Sequence, residues 1–204
     1  MQADLSIKDF MSRLGANSAV PGGGTVAALG AALAAGLAEM VGNLTIGKKG
    51  YESQNLEMTA IAEAASEYRE KLLLDMDRDS EAYAEVMNAF RLPKDTADEK
   101  NARTRAIQKG LKKAATVPLE VAGHALGIME LAGVAIEKGN RNAMSDGMVA
   151  VLMARAAGLA ALYNVKINIA SVSDRTFADV MAGRAEKMEN AIRDMEDKLL
   201  SNVT

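Results

Sequence analysis

From Thr25 to Ile46 the chain is built largely of alanine, glycine and leucine, and Pro21-Gly22-Gly23-Gly24 leads directly into it. Alanine and glycine cover little apolar surface, so such a segment contributes to a core through close backbone approach rather than side-chain bulk. The run is long enough to cross a bilayer, but it carries Glu39 and Asn43 and offers little insertion energy per residue. It reads as a buried helix of a soluble protein, with Gly30, Ala34 and Ala38 sharing one close-contact face. That face belongs to the core or to a dimer seam.

The rest of the composition agrees with helix-on-helix packing. Among 204 residues, 49% are hydrophobic but only 3% aromatic, so Ala, Leu, Val and Met do the packing. Only Pro21, Pro93 and Pro118 interrupt the chain, which leaves room for long helices. A net charge of −3 with no basic stripe argues against a nucleic-acid partner. The absence of cysteine excludes disulfides and thiolate metal sites. One histidine, His124, does not supply a His-rich metal site, and its Gly/Ala-rich surroundings give it a structural or surface role. No secretory signal pattern opens the sequence, so a cytoplasmic location is expected.

Periodicity then places the elements. Leu5, Ile7, Phe10, Met11 and Leu14 mark a short amphipathic helix stopped by Gly15. Thr25 is positioned to cap the small-residue helix, and a long helix follows from about Asn55 to Arg91. Asp95 or Thr96 caps the next one, with Glu99 in capping-box position to Thr96, and it reaches about Lys138 with a kink near Pro118. A second small-residue helix follows the Gly139-Asn140 break. Val165, Ile167 and Ile169 alternate with polar residues and predict an extended linker. Ser173 or Asp174 caps a last helix from Arg175 to about Leu200. The expected fold is an all-α bundle of about six helices with no significant sheet, one domain over 1–204.

One residue breaks the apolar pattern. Leu72, Met76, Asp79, Tyr83, Val86 and Phe90 follow each other at steps of three and four, so Asp79 stands in an apolar stripe. It either lines a pocket or belongs to a buried ion pair, and its protonation depends on which. Asp75 lies on the flank one turn earlier, while Asp77 points nearer the polar face. Glycines at a helix start expose N–H groups to an anion or admit a flat ligand, although a tight turn explains them equally and no P-loop closes the run. Lys48 and Lys49 follow the end of the first small-residue helix, where they complement its dipole or receive carboxylates. Asn140, Ser145, Asp146, Asn164 and Asn168 sit at the ends of the second; they are ordinary caps individually and a polar site collectively.

The ordered blocks "SAVPGGGTVAA", "MVGNLTIGKKGY", "DRDSEAYAEVMNAFRLPKDT", "KGNRNAMSD" and "NVKINI" resemble the cyclodeaminase domain of formiminotransferase-cyclodeaminase. They are equally similar to its stand-alone bacterial relatives, which include methenyltetrahydrofolate cyclohydrolases. The likeness extends over nearly the whole chain. It implies an all-helical homodimer that binds tetrahydrofolate derivatives with no metal and no further cofactor. By position it implies a substrate site at Ser18, Pro21, Gly22, Gly23, Gly24, Thr25, Lys48, Lys49, Asp77, Lys94, Asn140, Ser145, Asn164 and Asn168, with Asp79 and then Asp146 as the catalytic carboxylates. Tyr83 departs from the family's common phenylalanine, and Lys48–Lys49 from its arginines. With no formiminotransferase domain in the chain, hydrolysis of 5,10-methenyltetrahydrofolate is favoured over deamination of the formimino compound. A non-catalytic folate-binding or dimeric scaffold is the alternative of another class.

Overall fold

A computed structural model describes residues 1–201. Six α-helices carry them: α1 (Ile7–Leu14), α2 (Gly23–Asn43), α3 (Asn55–Phe90), α4 (Ala97–Lys138), α5 (Met144–Ala170) and α6 (Arg175–Leu200). Single 3-10 turns occupy Glu52–Gln54 and Arg141–Ala143. No strand occurs among the described residues, so the all-α expectation holds.

Helix α2 lies between α3 and α5, antiparallel to both. Arg69 meets Glu39 at 2.8 Å along α3, and the Thr25 hydroxyl reaches Asp79. On the other side Gly23 stands beside Asn164, and Gly30 beside Ala157. The inner face of α2 is nearly all methyl groups: Ala28, Ala31, Ala34, Ala35 and Ala38 are fully buried. Small side chains let helix axes approach closely, and the gain comes from many short-range contacts rather than from bulk. At Gly42 a Cβ would fall 3.0 Å from the Met58 carbonyl oxygen, so only glycine fits that crossing without a shift. Bulk comes from the opposite layer, where Leu72, Met76, Ile128, Met129 and Ile192 are buried from α3, α4 and α6.

Local signals act mostly as the sequence implies. Thr96 and Glu99 form a complete capping box at the start of α4, and Asp174 caps α6. α4 continues as helix through Pro118. Two expectations are corrected. The stretch around Val165 is not a linker but the last turns of α5. Val165 and Ile169 are both buried and four apart, while Ile167 is 71% exposed; over so short a window a helical face and a strand face share two of three positions. Thr25 is not a cap either. α2 begins at Gly23 with Gly22 as its side-chain-free N-cap, and the Thr25 hydroxyl is used elsewhere.

α2, α4 and α5 are each long and apolar enough to cross a membrane by length and composition, and 56%, 44% and 44% of those stretches are buried inside the bundle. Their apolarity therefore serves helix–helix contact to a large extent. If tight methyl packing holds α2, Ala31→Leu forces extra carbons into a filled seam. The expected cost is about 1–3 kcal/mol in urea unfolding, against near-neutrality for the same change at the exposed Ala102.

Candidate functional site

The N-terminus of α2 opens onto a cleft of about 280 Å³ between α2, α3, α4 and α5. Gly22, Gly23 and Gly24 form one wall, Asp79 and Tyr83 of α3 another, and Asn164 and Asn168 of α5 a third. The first-turn N–H groups of a helix have no intrahelical partner, and its dipole is positive there. Asp79 lies against this end. A side chain at position 24 would overlap its carboxylate, so the glycine exists to seat Asp79 against the backbone.

The Asp79 carboxylate accepts a hydrogen bond from the Thr25 hydroxyl at 2.8 Å, and no ion pair joins it among the described residues. Burial raises its pKa above the ordinary carboxylate value; the Thr25 hydroxyl and backbone N–H oppose that with weaker effect. It is thus a pocket residue rather than half of an ion pair. The buried ion pair is one turn earlier, at Asp75, expected on the flank but buried to 1% exposure. Its Oδ1 lies 2.6 Å from Arg78, which continues to Glu120 at 2.8 Å, and Oδ2 is 3.5 Å from His124 Nδ1. Asp75 points toward α4, whereas Asp79 points toward α2.

Two amides complete the cleft. Asn164 Nδ2 donates to the Ala160 carbonyl at 2.9 Å and Asn168 Nδ2 to the Ala114 carbonyl at 2.9 Å. A carbonyl only accepts, so each bond fixes the orientation of its amide and leaves Oδ1 and one remaining Nδ2 hydrogen for a ligand. The cleft therefore combines acceptor oxygens and a carboxylate with helix-start N–H donors. Val86, Ala114 and Ile167 also line it. Nothing in their chemistry marks them in the sequence, and Ile167 fell within the expected linker.

The remaining sequence-predicted residues divide between four places. Ser18 holds the entry loop by bonding Val20, and Pro21 is buried beside the cleft after a cis peptide bond. Lys94 is exposed in the α3–α4 connection. Asp77 accepts the Gln2 N–H at 2.7 Å and lines a separate depression with Met1, Leu74, Arg78 and Glu81. Lys48, Lys49, Asn140, Ser145 and Asp146 gather at the opposite end of the α2–α5 pair. Along α5, Asp146 and Asn164 are separated by about 27 Å of helix rise. Asn140 there ties the bundle end, donating to the Leu44 carbonyl and accepting from Asn142. Within one chain the two ends do not share a cleft. No three His, Cys, Asp or Glu side chains converge on a metal position among the described residues.

Comparison with known proteins follows the same lines. The formiminotransferase-cyclodeaminase family profile matches residues 6–187. A methenyltetrahydrofolate cyclohydrolase of Methylorubrum extorquens is 40% identical, covering 88% of this chain and 86% of that protein. A formimidoyltransferase-cyclodeaminase of Rattus norvegicus is 35% identical over 86% of this chain, which spans only 32% of that longer protein. The crystal structure of a formiminotetrahydrofolate cyclodeaminase from Thermotoga maritima superposes with a TM-score of 0.87 at 33% identity, covering 98% of each chain.

The raised pKa of Asp79 carries a stability consequence. Such a group favours the folded state most below the unfolded carboxylate pKa, and that contribution is lost as pH rises through the folded value. Asp79→Asn, neutral at every pH, is therefore expected to raise the unfolding midpoint at pH 7.5 relative to wild type, with the difference shrinking toward pH 4. Thermal melts across that range check the sign.

Proposed function

This chain belongs to the formiminotransferase-cyclodeaminase family, and from that premise we propose that it is a cytoplasmic homodimer that hydrolyses 5,10-methenyltetrahydrofolate to 10-formyltetrahydrofolate. The carrying observation is Asp79, a carboxylate that no cation pairs among the described residues, seated in a cleft beside amide acceptors and helix-start donors. The methenyl carbon of the substrate shares positive charge with its two nitrogens, which an anionic Asp79 stabilises. It is already electrophilic, so no metal or further cofactor is invoked.

Water oxygen adds to that carbon while one water proton passes to Asp79. The proton is returned to N5 as the carbon–N5 bond breaks. The hydroxyl proton of the intermediate leaves to solvent, and the formyl group remains on N10. Burial raises the pKa of the Asp79 carboxyl above the ordinary carboxylate value, which makes it a better proton acceptor than an exposed carboxylate. Identity to a named cyclohydrolase supports this reading. The second reading is cyclodeamination, supported by the fold-wide likeness to a named cyclodeaminase. There N10 attacks the formimino carbon, and ammonia leaves with a proton supplied by the same residue.

Dimerisation is supported by the outer face of the α2–α5 pair. Val26, Leu33, Leu44, Val149, Leu152 and Tyr163 are all more than a third exposed there. The charged residues of this pair at Glu39, Arg155 and Lys166 turn to partners on α3 and α6. A two-fold axis normal to this face lays the Lys48–Asp146 end of one copy over the Asp79 cleft of the other. The 280 Å³ cleft is small for a whole folate, and this arrangement completes it.

Loss of the near-ultraviolet methenyl absorbance on adding wild-type protein is the expected result, and Asp79→Asn should lower kcat about 100-fold or more. Absorbance gain and ammonia release from 5-formiminotetrahydrofolate would favour the second reading; neither signal would leave a binding protein. Mixing inactive Asp79→Asn and Asp146→Asn proteins should restore up to about a quarter of wild-type activity, since half of the dimers then carry one intact site of two. No recovery from exchanged subunits would sink the shared site.

A further inference from the structure

Asn168 enters the cleft with its amide already engaged by the Ala114 carbonyl. In a regular α-helix that carbonyl accepts the N–H of the residue four positions on. Here that residue is Pro118, buried inside α4 and without an N–H to give. Its ring also crowds the carbonyl one turn back, which favours tilting that carbonyl out of the helix ladder. Ala114 and Asn168 both line the cleft, so the vacancy in the α4 ladder sits beside the candidate site.

We propose that Pro118 is a positioning residue for the cleft: it reserves the Ala114 carbonyl for Asn168 and so fixes the orientation of the Asn168 amide that a ligand meets. With one Nδ2 hydrogen held by Ala114, the amide orientation is fixed, and Oδ1 remains as its acceptor for a ligand. Asn164, one helical turn earlier on α5, is oriented the same way by the Ala160 carbonyl. Two amide oxygens on successive turns form an acceptor pair suited to a flat ligand edge with neighbouring N–H donors. The amino-pyrimidinone edge of a folate has that chemistry, so this inference deepens the proposed function and rests on it for the identity of the ligand. The placement of Pro118, Ala114 and Asn168 does not depend on it.

Pro118 is absent from the cleft lining, so the proposed route for its effect is the Ala114 carbonyl and Asn168. A four-protein cycle of wild type, Pro118→Ala, Asn168→Ala and the double variant separates that from a general helix effect. Asn168→Ala leaves the Ala114 carbonyl unpaired and should lower the urea midpoint. In the Pro118→Ala background a new N–H takes that carbonyl, and the loss should largely vanish. In the turnover assay Pro118→Ala should raise KM about three- to tenfold with kcat within about twofold, as for one misplaced hydrogen bond. The same change in the Asn168→Ala background should move KM by less than about twofold.

Additive effects in the urea cycle, or an unchanged KM in active Pro118→Ala, would overturn the assignment. If Asn168→Ala does not fold, Asn168→Ser takes its place in the cycle. A wild-type protein with no turnover on either folate refutes the proposed function, and the urea cycle alone then decides the role of Pro118.

Discussion

The structure depends on how closely α2 can approach its neighbours. A helix whose inner face is alanine and glycine has no long side chains to hold α3 and α5 away, so short-range contact replaces bulk along its whole length. The same closeness that builds the core builds the cleft. At the N-terminal end of α2 the seam brings backbone, the Asp79 carboxylate and the Asn164 amide together, and Gly24 leaves the space that Asp79 occupies. A larger residue there would not simply narrow a pocket; it would displace the acid. Gly24, one of the glycines expected to admit a ligand, serves first to admit a protein carboxylate.

Two aspartates one turn apart on α3 show how environment divides like groups. Asp75 faces α4 and finds Arg78, with His124 beyond; its charge is compensated where it is buried. Asp79 faces α2, finds a hydroxyl and no cation among the described residues, and burial raises its pKa above the ordinary carboxylate value. The first arrangement tolerates a charge and the second stores a tension that protonation relieves. An acid that gains by taking a proton, placed beside a cleft, suits proton transfer during water addition or ammonia loss.

The polar residues grouped by sequence motif are distributed over both ends of the antiparallel α2–α5 pair. One chain therefore holds two partial constellations rather than one site. The apolar outer face of the pair lies between them, and the proposed two-fold pairing across that face would bring opposite ends together.

Much of this was legible in the sequence. The all-α class, the long helices, the Thr96 capping box and the oddity of Asp79 follow from periodicity and local chemistry, which act within a few residues and need no knowledge of the fold. The family relationship was legible too, because ordered motifs survive along the whole chain. Periodicity misread the end of α5, where a short helical face and a strand face coincide, and placed Asp75 on a flank because it cannot weigh which neighbour a helix will meet. Tertiary structure alone decided that Thr25 serves Asp79 rather than its own helix, that Lys48 and Asp146 lie far from that cleft, and that Pro118 gives up a carbonyl to Asn168. The first and last are contacts between residues 54 positions apart, and all three are set by how helices cross in space, which no local pattern carries.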